Sequence, residues 1–424
     1  LILGAGKSSI YLIDYLAEHA AQQQWQVTVA DVSQQLALAK TKGRAGTQAL
    51  AINLADQSAT ETLLSTANVV ISMLPAAFHW QIAKMCVALK KHLVTPSYIS
   101  PEMKALHAEV ESAGLVFMNE MGLDPGIDHM SALQIIDALK EKGAKVTSFK
   151  SHCGGLIAPE SDTNLWHYKF TWNPRNVVLA GQGAGGIKYR LNGQMCELKY
   201  EELFASAEMI TVEGHGNFES YPNRDSLKYI SEYGLDDIET MYRGTLRVPP
   251  FCKGWNCLVK LGLTREEVVD TASLLRQEDE ILKLLAIDKS NETYRLLIQL
   301  GLFDKLAAIK GGKINPAVFI QQILEEKWRL QPGDKDMVVM VHEIEYRLGA
   351  EKKKIQSSLV CTGDNEEHTA MAKTVGLPVA MVTKMLLNGA ISKKGVLMPK
   401  YPEIYNPILA DLKQYGITFN EIIR

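Results

Sequence analysis

Cysteine is scarce, with six in 424 residues. Cys86, Cys153, Cys196, Cys252, Cys257 and Cys361 are widely scattered and none forms a CxxC pair. That argues against a zinc site or a disulfide framework, so free thiols in a reducing cytoplasm and no bound metal are expected. Long apolar runs are also lacking. None reaches 18 residues, so no transmembrane helix is expected. No secretory leader is visible, and the chain starts at Leu1, inside an apolar run, as though residues ahead of it were missing. An excess of one charge is absent: the net charge is −3, which suits neither a nucleic-acid binder nor a polybasic membrane anchor. There is no internal repeat and no low-complexity tract. With 46% apolar and 22% charged residues, the composition is that of a folded globular chain of about two to four domains.

Short apolar runs alternate with helical patterns over the first 125 residues. Leu1–Leu3, Gln26–Ala30, Gln48–Ile52, Val69–Met73, Lys91–Val94 and Leu115–Met118 read as strands, and Ser9–Ala20 as a helix. The alternation predicts an α/β domain with a doubly wound parallel sheet. Residues 124–260 are richer in Gly, Tyr and Trp, with a strand-like start at Lys145–Lys150. Thr264 with Glu267 forms a capping signature ahead of a helix through Leu275, and Asn291–Leu302 and Pro316–Trp328 continue the helical pattern. Met337–Arg347 and Lys354–Cys361 read as paired strands around a turn at Leu348–Lys353. A helix is expected from Glu366 to Asn388, interrupted at Gly376–Pro378.

The opening Leu1-Ile2-Leu3-Gly4-Ala5-Gly6-Lys7-Ser8-Ser9 follows a strand and enters a helix. This is the setting of a dinucleotide-binding Rossmann turn. Gly4 permits the tight turn, and Gly6 lets the backbone approach a pyrophosphate. Lys7 and Ser8 lie at the helix start, where N–H groups and the dipole favour an anion. Ser9 stands where a third glycine is usual. Asp31, at the end of the second strand, is placed to accept the ribose hydroxyls of NAD and to repel the 2′-phosphate of NADP. NAD is therefore the expected cofactor, with NADP as the alternative. A phosphate-loop pattern is not met, because one residue separates Gly4 from Gly6.

The stretch Asn119-Glu120-Met121-Gly122-Leu123-Asp124-Pro125-Gly126-Ile127-Asp128-His129 resembles the L-glutamate-forming saccharopine dehydrogenase (saccharopine reductase) family. Thr95–Pro101, Cys153–Leu156 with Ala158–Glu160, Tyr221–Ser226, Arg243–Arg247 and Ala370–Pro378 resemble it too, in order, over nearly the whole chain. The resemblance implies a Rossmann domain (1–123 plus about 370–424), a mixed α/β substrate and dimerisation domain (124–262 plus about 331–369) and a helical insert (263–330). It also implies a homodimer, and hydride transfer between a nicotinamide cofactor and a secondary amine, which interconverts saccharopine with glutamate and 2-aminoadipate 6-semialdehyde. A carboxynorspermidine-type dehydrogenase and a non-catalytic dinucleotide-binding regulator are the competing readings.

The substrate, a small molecule with three carboxylates and two amines, calls for cations and hydroxyl donors. The resemblance points to Arg224 as a carboxylate clamp. Ser97 and Tyr98 follow a sheet-edge strand, and Thr245 offers a hydroxyl. Asp124 lies in a turn stiffened by Pro125 and is placed to meet the substrate amine. Tyr98, Asp124 and Cys153 are the expected acid–base or orienting groups, with Lys169 and His129 as further candidates. Asp128 reads as a helix N-cap. Leu74 and Pro75 are expected beneath the nicotinamide ribose, Asn53 and Leu54 near adenine, and Trp172 on the nicotinamide side. His79, His92, His152 and His368 read as isolated packing or surface residues.

Overall fold

A computed structural model describes residues 1–183 and 186–424. It divides into two compact units, residues 1–141 with 367–418 and residues 142–366 with 419–424. The first unit opens with β1 (Ile2–Leu3), β2 (Val27–Asp31), β3 (Thr47–Ala51), β4 (Val69–Ser72), β5 (His92–Val94) and β6 (Val116–Met118). A 3-10 turn, Lys7–Ser9, leads from β1 into helix α1 (Ile10–Gln23). Later crossovers start at side-chain caps: Ser33 accepts from Leu36 N, Asp56 from Ala59 N and Ser100 from Met103 N. The helix Ile127–Glu141 also belongs to this unit.

The second unit holds β7 (Lys145–Ile157), β8 (Ile187–Leu191), β9 (Gln194–Leu198), β10 (Glu208–Val212), β11 (Gly216–Pro222) and β12 (Thr240–Arg247). The short pair β13 (Val269–Asp270) and β14 (Lys313–Ile314) follows, then β15 (Asp336–Leu348) and β16 (Glu351–Thr362). The chain returns to the first unit for the helix Ala370–Leu387, β17 (Gly395–Leu397) and the helix Pro402–Gln414. It ends in β18 (Phe419–Ile423), which pairs with β16.

The first unit's sheet has the order β17-β6-β5-β4-β1-β2-β3 and every pairing is parallel. The second unit's sheet runs β10-β11-β12-β7-β15-β16-β18, with β8 and β9 attached through β12. It is mixed, because β12 runs parallel to β7 while its other pairings are antiparallel. An aromatic core of Trp166, Tyr168, Phe170, Phe251, Trp255 and Trp328 is continuous with the helices between residues 278 and 327. The expected helical insert therefore packs as part of the second unit's own core.

Four expectations need correction. No helix follows Thr264; residues 269–270 form β13, and a 3-10 turn spans Thr271–Ser273. Tertiary contacts override the capping signature: Gln182 donates to Thr264 O, Ala317 N to Arg265 O and Asn315 to Glu266 O. The turn expected at Leu348–Lys353 shrinks to Gly349-Ala350, so the EKKK run lies in β16. The helix Ala370–Leu387 runs unbroken through Pro378, held by buried residues along its length. The boundaries also move. Residues 124–141 fall in the first unit, and β18 joins the second because its backbone groups pair there.

The Ala370–Leu387 helix is 18 residues long with mean hydropathy 1.3, enough to cross a membrane by length and composition, yet 67% of it is buried. It packs on α1 through Gly376, where a Cβ would stand 2.8 Å from Leu12 N and 3.2 Å from Ser8 O. Ser9 and Gly376 thus share the close packing that a third glycine in the turn usually supplies. Gly376→Ala should destabilise the protein by about 1–3 kcal/mol, because overpacking here outweighs the gain in helix propensity. A thermal melt would check this; an unchanged or raised Tm would show that the two helices have room.

Candidate functional site

The turn after β1 is held on both sides. Gly4 has φ +101° and its N–H donates to Ala30 O at 2.8 Å. A Cβ there would lie 3.0 Å from Met73 O, so both conformation and space require glycine. A Cβ at Gly6 would meet nothing within 4 Å and would fill the open cradle above the helix start. Lys7 is exposed and Ser8 half-buried at this opening. Ser9, buried, donates from Oγ to Gly6 O at 2.8 Å. Asp31 accepts Ala5 N at 2.8 Å on Oδ2 and Ser33 N at 2.9 Å on Oδ1. Its carboxylate ties the turn to the end of β2 and keeps lone pairs for a ligand hydroxyl. Two downstream cations, Lys42 and Arg44, pair with Asp14. These residues fit a dinucleotide: a glycine cradle at a helix start for the pyrophosphate, and a carboxylate for a ribose.

At the same sheet edge, Tyr98 and Asp124 come together. The Tyr98 hydroxyl donates to Asp124 Oδ1 at 2.9 Å, and both side chains are half-buried. The Asp124–Pro125 peptide is cis, and Gly126 has φ +145° with no space for a Cβ beside Gly122. Ser97 is fixed by His79, whose Nε2 lies 2.7 Å from Ser97 Oγ and 3.2 Å from Thr95 Oγ1. His79 Nδ1 is 2.8 Å from Ser72 Oγ. Burial pulls this imidazole down to about 4, so it is neutral and bridges the ends of β4 and β5.

The second unit carries its own cluster on one sheet face. Thr245 pairs in register with Cys153 on β7 and Tyr221 on β11. By strand alternation Arg243, Thr245 and Arg247 share that face. Glycines bring these strands close: a Cβ at Gly154 would lie 2.6 Å from Leu246 O, and one at Gly244 would lie 2.4 Å from Ser220 Oγ. Arg247 is 3% exposed. Its guanidinium sits 5.1 Å from the Tyr168 and Phe251 rings and 5.7 Å from Tyr221. It donates one hydrogen bond, to Leu246 O, and its Nε has no partner. No carboxylate pairs with it among the described residues, and Glu219, its cross-strand neighbour, accepts Cys252 N instead. Arg224 is exposed, with φ +54° and a carbonyl that accepts Lys188 N.

The remaining candidates scatter. Leu74 and Leu54 are half-buried against the first unit's core, while Pro75 and Asn53 are exposed, and Asn53 caps its own turn through Ala55 N. Trp172 packs on the second unit's aromatic core. Lys169 is locked to Asp334 at 2.7 Å and 3% exposed, which removes it as a proton carrier. Asp128 is not the N-cap; it sits inside the first turn of its helix and its Oδ1 accepts Gly126 N. Sequence reasoning missed His79, Glu120 and Arg247. His79 lies seven residues past Ser72, and no local pattern distinguishes it. Arg247 sits two residues after Thr245 on a strand, and that alternation was a usable signal.

Models of two domains match the chain. The saccharopine dehydrogenase NADP binding domain covers residues 1–118, and the saccharopine dehydrogenase C-terminal domain covers residues 122–417. Saccharopine dehydrogenase [NADP(+), L-glutamate-forming] of Saccharomyces cerevisiae is 36% identical over 99% of this chain and 98% of its own. Mitochondrial alpha-aminoadipic semialdehyde synthase of Mus musculus is 35% identical over 99% of this chain, which spans 47% of that longer protein. The solved structure of apo histidine-tagged saccharopine dehydrogenase (L-Glu forming) from Saccharomyces cerevisiae superposes with a TM-score of 0.85 at 33% identity, covering 100% of this chain and 99% of that one.

The buried imidazoles set a pH dependence. His79 lies near 4 folded and near 6.5 unfolded, so the unfolded chain takes up the proton first as pH falls. Its contribution is complete above about pH 6.5 and is lost towards pH 4, a change of roughly 3 kcal/mol. Denaturant midpoints between pH 7 and 4.5 should fall more steeply for wild type than for His79→Gln. Equal slopes would show that folding does not lower the proton affinity of His79.

Proposed function

Because the chain belongs to the saccharopine dehydrogenase family, we propose that it interconverts saccharopine with L-glutamate and 2-aminoadipate 6-semialdehyde through an imine. It is an oxidoreductase of lysine metabolism that acts on a CH–NH donor with a nicotinamide dinucleotide. The observation that carries the substrate class is Arg247. Burying a guanidinium without a counter-charge is costly. A carboxylate-rich substrate would satisfy it bidentately, with the Thr245 hydroxyl on the same face and Arg224 as a further cation.

The dinucleotide, when bound, supplies or accepts the hydride. Asp124, which already holds the Tyr98 proton on Oδ1, offers its remaining acceptor sites to the substrate amine N–H. Tyr98 orients that carboxylate and can return a proton when the amine leaves. Cys153, buried opposite Thr245, shapes the carboxylate-binding face. Water completes the hydrolysis: it adds to the imine carbon, and the carbinolamine releases the amine of glutamate.

NAD is proposed as the preferred dinucleotide. The yeast relative's name specifies NADP(+), and the matching model is described as an NADP binding domain. Those names speak for NADP. Against them stands the Asp31 carboxylate at the end of β2, where a 2′-phosphate would meet a negative charge, while Lys42 and Arg44 pair with Asp14. A homodimer is proposed on resemblance, and a reducing compartment such as the cytoplasm on the free thiols.

Absorbance at the reduced-dinucleotide band, with saccharopine and either cofactor, tests both readings. Turnover should favour NAD, and Asp31→Ala with Val32→Arg should move the preference towards NADP. A wild-type enzyme that prefers NADP would overturn the role given to Asp31. Arg247→Met should raise the KM for saccharopine roughly 10–100-fold, as expected for a lost charged hydrogen bond. An unchanged KM would remove Arg247 from the substrate site.

A further inference from the structure

We infer that a buried Glu120–His129–Asp128 chain positions the Tyr98–Asp124 pair. The inference rests on the reading of that pair as substrate-facing groups. Glu120, His129 and Asp128 are 2%, 0% and 1% exposed. Two carboxylates and an imidazole withdrawn from water cost more than apolar side chains of similar size, so packing alone does not explain them.

Their contacts run to the backbone on both sides of the pair. Glu120 N–H donates to Ser97 O at 3.0 Å, and Glu120 Oε1 accepts Ile99 N at 3.0 Å. Tyr98 lies between those two residues, so one side chain with its own amide brackets it. Glu120 Oε2 meets His129 Nε2 at 2.8 Å. His129 Nδ1 lies 3.5 Å from Asp128 Oδ2, and Asp128 Oδ1 accepts Gly126 N at 2.6 Å. Gly126 is two residues past Asp124. The chain thus joins the segment after β5, which carries Tyr98, to the turn after β6, which carries Asp124.

Backbone conformation supports the same reading. Glu120 has φ +55°, which a non-glycine residue adopts only when its surroundings demand it. At that φ the Glu120 amide and side chain both point at the Tyr98 segment. His129 is fixed in turn by the first turn of the helix Ile127–Glu141. These three buried side chains therefore tie together the two segments whose side chains meet at the 2.9 Å Tyr98–Asp124 contact. His129, Glu120 and Asp128 are positioning residues, acting through Tyr98 and Asp124.

A double-mutant cycle tests this on the full-length enzyme with saccharopine, alongside dinucleotide Kd values and melting curves. His129→Ala should lower kcat/KM for saccharopine by up to about 100-fold, as a displaced reacting group does, with the dinucleotide Kd unchanged. His129→Gln, whose amide can still donate to Glu120, should recover much of that loss. Combining His129→Ala with Tyr98→Phe should cost clearly less than the product of the two single losses, since both act on the Tyr98–Asp124 contact. If His129→Ala fails to fold, Glu120→Gln takes its place in the cycle. Losses that multiply, a dinucleotide Kd that weakens in step with the rate, or no rescue by Gln would each overturn the proposal. A Tyr98→Phe enzyme as fast as wild type would instead overturn the reading of the pair, and the positioning role with it.

Discussion

The first unit depends on one constraint: all seven strands of its sheet run in the same direction. A parallel sheet brings every strand's carboxyl end to one edge, and ligands of such sheets bind there. The Gly4 turn after β1, Asp31 at the end of β2, Ser72 at the end of β4, Tyr98 after β5 and Asp124 after β6 all leave from that edge. Separate hydrogen bonds then lock neighbours together, Asp31 to Ala5, His79 to Ser97 and Glu120 to Ile99. Each bond crosses from one strand's loop to another's, so the edge is a cross-linked surface rather than a row of independent loops.

The second unit solves a different problem. It must hold the Arg247 guanidinium out of water with no carboxylate paired to it among the described residues. Gly154 and Gly244 let β7 and β12 approach closely, which puts Thr245 and Arg247 on a face lined by Tyr168, Tyr221 and Phe251. Aromatic faces stabilise a guanidinium through their quadrupoles while leaving its N–H donors uncommitted. Burial pushes the Tyr221 hydroxyl up to about 12, so the lining stays neutral near pH 7. A carboxylate brought to this face would meet a positive charge in a medium of low dielectric.

Six of the parallel sheet's seven strands were legible in the sequence as short apolar runs bounded by turn residues, whereas β17, three residues far along the chain, was not. The glycine turn was legible because its residues are contiguous. Asp124 stood out through Pro125 and Gly126. What stayed hidden depends on contacts far apart in the chain. His79 gains its role from Ser72, Thr95 and Ser97, and Glu120 from Ser97, Ile99 and His129. The capping signature at Thr264 misled because contacts from Gln182 and Ala317 outweigh a local preference. Pro378 misled for the same reason, since a buried helix tolerates one missing hydrogen bond.

The edge position of β17 matters for biosynthesis. It pairs with β6, so the first unit's sheet takes its seventh strand from residues made long after the other six. Residues 119–394 separate the two strands, and at roughly 5–20 residues per second the nascent chain carries an open β6 edge for tens of seconds. Residues 142–366, by contrast, emerge as one continuous block that holds all of the second unit's sheet except β18. The ribosome therefore delivers the middle of the chain as a nearly finished body while the first-made strands still wait for a partner.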